Sequence, residues 1–315
     1  MSDTSPISTA SERITVAIVG LGGIGGGIAG SLAAASRHEI VACTRRPLKR
    51  FVLERPEGTV EIPLRAIADP SAATPVDWVV LCTKTHETAS TAPWMAQLCS
   101  SSTRVAVLQN GIDHAARVKP LTRDAVVVPA LVYYNGERLA ADRVRIRHAG
   151  EYDLVVSDDP DGRAFAQLLD GTSLRVVPSA DFTTLKWRKL LINAVANPIT
   201  ALTLQRQAVL RRDDVRALCL EILDEAVAVA CADGARLADD DAAQTIATAL
   251  LTYAPELGTS MYFDRLAGRP LEVEALTGAI VAAGERRGIA TPLNRALVAL
   301  LRAVSDAAGT EARVA

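Results

Sequence analysis

A β-branched run, Ile14 to Val19, stops at Gly20 and gives way to LGGIGGGIAG, in which Gly20, Gly22 and Gly25 stand in the G-x-G-x-x-G arrangement. A strand that feeds such a loop and then a helix opens a βαβ unit of a doubly wound parallel sheet. Each glycine has a physical task in that reading. Gly20 permits the tight turn, Gly22 lets backbone N–H groups approach a pyrophosphate, and Gly25 lets the helix pack on the strand. The pyrophosphate then lies at the positive end of the helix dipole, with Leu21, Gly23 and Ile24 completing the loop around it. The competing reading is a flexible glycine-rich loop; its place directly behind the first strand favours the dinucleotide.

The rest of the first half has the matching rhythm. Strand-like runs at Ile40 to Thr44, Trp78 to Thr83, Arg104 to Leu108 and Ala125 to Leu131 alternate with Ala-rich helical stretches, the pattern of an α/β chain. The segment RVRIRHAGEYDLVV, Arg143 to Val156, predicts strands joined by a short polar turn, an antiparallel extension of the same sheet. Beyond Asp181 the period is helical throughout. We therefore expect a disordered tail over 1–12, a Rossmann-type doubly wound sheet domain over 13–180 and an all-helical domain over 181–315, which suits a chain of 315 residues.

Composition removes several classes. Lys and Arg total 34 against 36 Asp and Glu, and Phe, Trp and Tyr number four, three and five, so neither a basic patch nor stacking aromatics speak for a nucleic-acid partner. No metal is expected, because the five cysteines are odd in number and include no C-x-x-C pair. The same cysteine usage makes a reducing cytoplasm the default compartment. The N-terminus lacks the basic start and apolar run of a signal peptide, and no membrane span is expected.

About twenty residues beyond the loop, where an NAD site carries an acid for the ribose hydroxyls, the strand IVACT runs into Arg45 and Arg46. An arginine there can hold a 2′-phosphate through charge-assisted hydrogen bonds, so the expected cofactor is NADP(H). A solvated basic turn is the plainer alternative. Lys84 in LCTKTHE and Asn110 in LQNGID each follow a strand, at the sheet edge where the cofactor would lie. Both could equally be loop residues, the Asn-Gly pair being a common turn. In LKWRKLLINAVANPIT, Lys189, Asn193 and Asn197 recur every four residues along one helical face, and Pro198 should kink or open that helix. Alone, this row is a site or a solvated stripe.

GLGGIG, KTHET, LQNGI, LKWRKLLINAVANPITAL and SMYFDRLAGRPLEVEALTGAIVAAGERRGIATPLN together resemble the ketopantoate reductase (2-dehydropantoate 2-reductase) family, in order and spacing over nearly the whole chain. The resemblance implies NADPH-dependent reduction of a 2-oxo acid, 2-dehydropantoate to pantoate on the route to pantothenate and coenzyme A. It makes Lys189 the catalytic lysine, which bonds the 2-oxo group and supplies a proton, and Glu272 the acid that pairs with it. Asn193 and Asn197 would contact the substrate's hydroxyl region and Ser260 its carboxylate. Lys84 and Asn110 would lie near the nicotinamide ribose, and Arg45 on the 2′-phosphate. Read from the residues alone, Glu272 could be the third residue of a helix begun at Pro270, and Ser260 a helix cap.

The chain departs from the family after Pro129, where ALVYYNGERL puts Tyr133, Tyr134 and Asn135 in place of a small Gly/Thr-rich strand; such bulk could reshape the acyl pocket. His148 is expected to be structural. These departures bear on the substrate more than on the reaction type. They leave as alternatives a reductase of another oxo acid or an imine, and a dinucleotide sensor without catalysis. A homodimer through the helical half is compatible with the sequence.

Overall fold

The computed structural model describes residues 14–48, 50–238 and 240–314, so the tail expected over 1–12 lies outside the described residues. β1 (Thr15–Val19) delivers the chain to the glycine loop, and α1 (Gly23–Ala35) starts there. β2 (Glu39–Cys43) is followed by three short strands the sequence pattern did not predict, β3 (Phe51–Arg55), β4 (Gly58–Ile62) and β5 (Arg65–Ile67). Next come β6 (Trp78–Leu81), α2 (Ala92–Leu98), β7 (Arg104–Val107), α3 (His114–Val118) and β8 (Val126–Val132). β9 (Asn135–Ala140), β10 (Arg143–Arg147), β11 (Leu154–Ser157), α4 (Pro160–Leu168) and β12 (Val176–Ser179) complete the first half.

The large sheet has the order β12-β11-β8-β7-β6-β1-β2-β5. It is parallel from β5 to β8, and β11 then pairs antiparallel to β8. The expected extension is therefore half right. β11 joins this sheet, but β10 lies in a second one of order β4-β3-β10-β9. The reason is visible in RVRIR: Val144 and Ile146 are buried while the alternating Arg143 and Arg145 pair with Glu54, so the strand has one apolar face, which lies on α1.

This second sheet explains why α1 is so rich in glycine. A Cβ added at Gly26 would lie 2.5 Å from Val144 and one at Gly27 2.8 Å from Ile146, so the sheet presses against the bare helix backbone. Gly23, expected in the cofactor loop, is tied to β9, since its Cβ would lie 2.0 Å from the Gly136 carbonyl oxygen. Tyr134 belongs to the same packing. It is buried beneath α1, with its hydroxyl donating to the Ile24 carbonyl at 2.5 Å, and so does not line an acyl pocket. His148 is structural as expected, its Nδ1 2.6 Å from the fully buried Asp153 carboxylate.

The second half contains α5 (Phe182–Thr203), α6 (Asp213–Ala232), α7 (Asp241–Thr252), α8 (Ser260–Leu266), α9 (Thr277–Arg287) and α10 (Pro292–Val314). α5 is its central element, and of the kink or opening expected at Pro198 the opening does not occur: the helix continues to Thr203. Pro198 removes the donor for the Ala194 carbonyl, but residues 194–201 are buried without interruption and packing holds the helix together. Trp187, fully buried, anchors α5 by donating its indole N–H to Asp233 at 3.1 Å. No helix among the described residues is long and apolar enough to cross a membrane.

Candidate active site

β1 lies between β2 and β6, so the chain reverses its direction of build across the sheet at β1/β6, and loops leaving β1, β2, β6 and β7 meet at one edge. Gly20 has φ +99, a left-handed turn open to glycine, and a Cβ at Gly25 would lie 2.0 Å from the Gly20 carbonyl oxygen. A Cβ at Gly22 would meet nothing within 4 Å. The N-terminus of α1 thus faces open space, with no side-chain cap on Gly22 and no acid in the first turn. That is a cradle for an anion, with N–H groups of Gly23, Ile24 and Gly25 unused by the helix. Leu21 packs against the sheet core beside it.

Arg45 stands just beyond β2, its side chain 84% exposed, and donates to Glu87 in the 3-10 stretch Thr85–Thr91. Arg45 is thus at the edge of the same cradle side of the sheet, free of packing and able to exchange one anionic partner for another. The Thr44 hydroxyl shapes this turn by donating to the Arg46 carbonyl at 2.8 Å.

The two halves of the chain are fastened at Glu272. Its carboxylate, 5% exposed, accepts from the Thr85 N–H at 2.9 Å, the Asn110 amide at 3.0 Å and the Lys84 ammonium at 3.3 Å. Lys84 is also paired at 2.8 Å with Asp264 of α8, which Arg269 holds from the other side at 2.9 Å. Burial alone would raise the Glu272 pKa, yet Lys84, Thr85 and Asn110 together hold it below the ordinary carboxylate value. For Lys84 burial works downward, and the two carboxylates outweigh it to raise its pKa. Two expectations change here. Glu272 lies in the segment between α8 and α9, not in the first turn of a helix, because its backbone neighbourhood is drawn to other partners: Leu271 N–H donates to Ser305 at 3.0 Å. Glu272 also takes Lys84, not Lys189, as its hydrogen-bonded cation.

Lys189 and Asn193 line one cleft with Gln109, Asn110, Gly111 and Leu131. The Lys189 ammonium donates to the Val132 carbonyl at 2.6 Å and lies 5.5 Å from the centre of the Tyr133 ring. Burial pushes its pKa down to about 8, although the charge of Glu272 opposes the fall. Tyr133 is in turn braced edge-on by Tyr152, with ring centres 5.2 Å apart, so of the two tyrosines it is Tyr133 that faces the lysine. The polar row on α5 is no solvated stripe: Asn197 is buried, and its amide donates to the Asn193 side chain at 3.3 Å. Ser260 is exposed at the start of α8 and is not the cap, a role taken by Thr259, which accepts from the Tyr262 N–H at 3.1 Å.

Sequence reasoning missed the residues that hold this arrangement still. Gln109, buried, donates to Thr83 and Thr88 across the β6 and β7 loops, and Arg117 donates to the Asn110 carbonyl at 3.0 Å. His114 bonds the Gln109 carbonyl at 2.8 Å, and burial pushes its pKa down to about 3, so it is neutral. Asp264 carried one readable signal: it lies four residues after Ser260 and therefore on the same face of α8. Gly111, with φ +102, brings the halves together, since a Cβ there would lie 2.6 Å from the Ala275 carbonyl oxygen.

Residues 16–160 match the family described as ketopantoate reductase PanE/ApbA, and residues 181–305 match its C-terminal region. A 2-dehydropantoate 2-reductase of Mycobacterium tuberculosis (strain CDC 1551 / Oshkosh) is 39% identical over 93% of this chain and 99% of its own length. Among solved structures, a PanE/ApbA family ketopantoate reductase from Ralstonia eutropha JMP134 superposes with a TM-score of 0.84 at 31% identity, covering 94% of this chain and all of the other. A dimeric ketopantoate reductase from Staphylococcus aureus gives a TM-score of 0.82 at 27% identity, again over 94% of this chain and the whole of the other.

Proposed function

The chain belongs to the ketopantoate reductase family, and from that premise we propose that it reduces 2-dehydropantoate to pantoate with NADPH, a step toward pantothenate and coenzyme A. The single observation that carries the reading is the cleft in which a half-buried lysine of depressed pKa lies with Asn110 and Asn193. The open space over Gly22 and the exposed Arg45 fit a dinucleotide bearing a 2′-phosphate, which Gly20 to Gly25 and Arg45 would hold. When bound, the reduced nicotinamide supplies the hydride.

The residues of this chain do the rest. Lys189 Nζ exchanges the Val132 carbonyl for the oxygen of the 2-oxo group and carries the proton that the developing alkoxide takes up. An ammonium near pKa 8 is protonated at neutral pH and gives up its proton more readily than an unperturbed lysine. Glu272, fixed by Lys84, Thr85 and Asn110, keeps a negative charge near Lys189 and sustains its protonated form. Asn193 and Asn197 hold the hydroxyl end of the substrate. Lys84 and Asn110 position Glu272 and stand on the cofactor side of the cleft.

Arg45→Ala should weaken NADPH binding about tenfold or more, the loss of charge-assisted hydrogen bonds, and leave NADH binding nearly unchanged. Fluorescence titration of both cofactors checks this; equal losses would remove the 2′-phosphate role. A homodimer is proposed on the precedent of the Staphylococcus aureus enzyme, with exposed Leu251, Leu257, Phe263 and Leu266 offering apolar surface on the helical half.

The test of function is NADPH oxidation by the purified protein with 2-dehydropantoate set against other 2-oxo acids and imine-forming mixtures. Preferred turnover of 2-dehydropantoate is expected. The Tyr133 ring beside Lys189 is the observation that favours a second reading, another oxo acid or an imine, and preferred turnover of such a panel member would establish it. Cofactor binding with no turnover of any member would leave a dinucleotide sensor.

A further inference from the structure

Glu87 is a carboxylate at the cofactor edge of the sheet to which the proposed function gives no task. In the sheet order β6-β1-β2 it stands beyond β6, whereas Arg45 stands beyond β2. Their ion pair therefore reaches across the end of β1, two strand spacings or about 10 Å, on the side where the glycine loop leaves the sheet. Both backbones are pinned. The Thr44 N–H donates to the Ile67 carbonyl at 2.9 Å and its hydroxyl to the Arg46 carbonyl at 2.8 Å, while the Glu87 N–H donates to the Lys84 carbonyl at 2.9 Å and the Glu87 carbonyl accepts from the Ser90 hydroxyl at 2.7 Å. What can move is the two side chains, Arg45 at 84% exposed and Glu87 at 32%.

One guanidinium thus has two claimants. Among the described residues Arg45 has no hydrogen-bonded partner besides Glu87. A phosphate monoester at Arg45 carries more charge than a carboxylate and offers three strong acceptor oxygens, so it can take the guanidinium over. The displaced carboxylate is then a like charge beside the phosphate, without its cation. NADH has a hydroxyl at that position and leaves the ion pair as it is. The first turn of α1 holds no acid, and β2 runs out into Thr44, Arg45 and Arg46. The carboxylate that meets Arg45 comes from the β6 loop, not from the end of β2 where an NAD site carries its acid.

We infer that Glu87 is a cofactor-specificity determinant, a carboxylate that competes with the 2′-phosphate for Arg45 and so holds the preference for NADPH over NADH below what Arg45 alone would give. The inference rests on the reading of Arg45 as the 2′-phosphate residue. The exposure of both side chains keeps the exchange small in energy and reversible, as in other surface ion pairs.

The experiment is a fluorescence titration that gives the Kd of NADPH and of NADH for the wild type, Glu87→Gln, Arg45→Ala and the double variant. Glu87→Gln keeps the size of the side chain and removes its charge. It should tighten NADPH about fivefold, the size of one exposed ion pair, with NADH nearly unchanged. Added to Arg45→Ala, the same substitution should gain less, because no guanidinium is left to release; an equal gain there would overturn the competition for Arg45. NADPH affinity that is unchanged or weaker in Glu87→Gln, or a gain shared equally by both cofactors, also overturns the inference, while an Arg45→Ala variant still selective against NADPH keeps the 2′-phosphate reading. Equal losses of both cofactors in Arg45→Ala overturn that reading and this inference with it.

Discussion

Lys189→Ala is expected to lower kcat for 2-dehydropantoate by about 10³-fold, within the range of a lost general acid, while NADPH affinity changes little. The reason is local. The half-buried Lys189 ammonium is the cleft's proton donor, and its hydrogen bond in the described state goes to a backbone carbonyl, Val132, not to a carboxylate that would hold it in place. Removing it takes away a donor that acts on developing charge and little that binds the ground state, so the loss should fall on kcat. Fold disruption is not expected, because the Val132 carbonyl can accept from water at the cleft surface. Steady-state kinetics with a parallel NADPH titration separates the effects; a variant within a few fold of wild type would remove Lys189 from the chemistry.

Glu272→Gln is the second large effect, an expected drop in kcat/KM of about 10²-fold, of the size seen when a buried orienting group is lost. The amide can still accept from Thr85, but it no longer neutralises Lys84 or raises the pKa of Lys189. The falling limb of the pH profile should therefore move from about pH 8 to lower pH. Glu272→Ala should also cost about 1–3 kcal/mol of stability, the penalty for part-buried donors left unsatisfied, since it strips a partner from Asn110 and Thr85 and one of two from Lys84. Because the folded Glu272 pKa is depressed, its contribution is complete above the unfolded pKa and is lost as pH falls through the folded value. Thermal melts across that range check the sign.

The glycine loop and the strands behind it were legible because their residues satisfy one local rule each: β-branched runs buried on both faces, and glycines where a turn or close packing forbids a side chain. The second sheet was not. GTVEI and NGERLA are polar on one face and carry no strand pattern of their own, and what makes them strands is the bare face of α1, a partner distant in sequence. The surplus glycines of α1, Gly26 and Gly27 among them, were its one visible trace. In the site, the α5 row could be read from helical spacing, whereas the ion-pair arrangement could not. Lys84 and Glu272 are 188 residues apart, and no spacing rule assigns a lysine at a strand end to one carboxylate over another. The same holds for Asp264, whose role depends on where α8 meets the β6 loop.

The account's central claim is that a lysine of depressed pKa in this cleft drives reduction of 2-dehydropantoate by NADPH. Its most direct test is the pH dependence of kcat/KM for that reaction in the wild type, which reports the free enzyme's essential acid. A rate that is level at neutral pH and falls through about pH 8, with the limb absent from the residual activity of Lys189→Ala, is the predicted result. A rate that stays level well into the range of an ordinary lysine, or a limb that persists in Lys189→Ala, would contradict it.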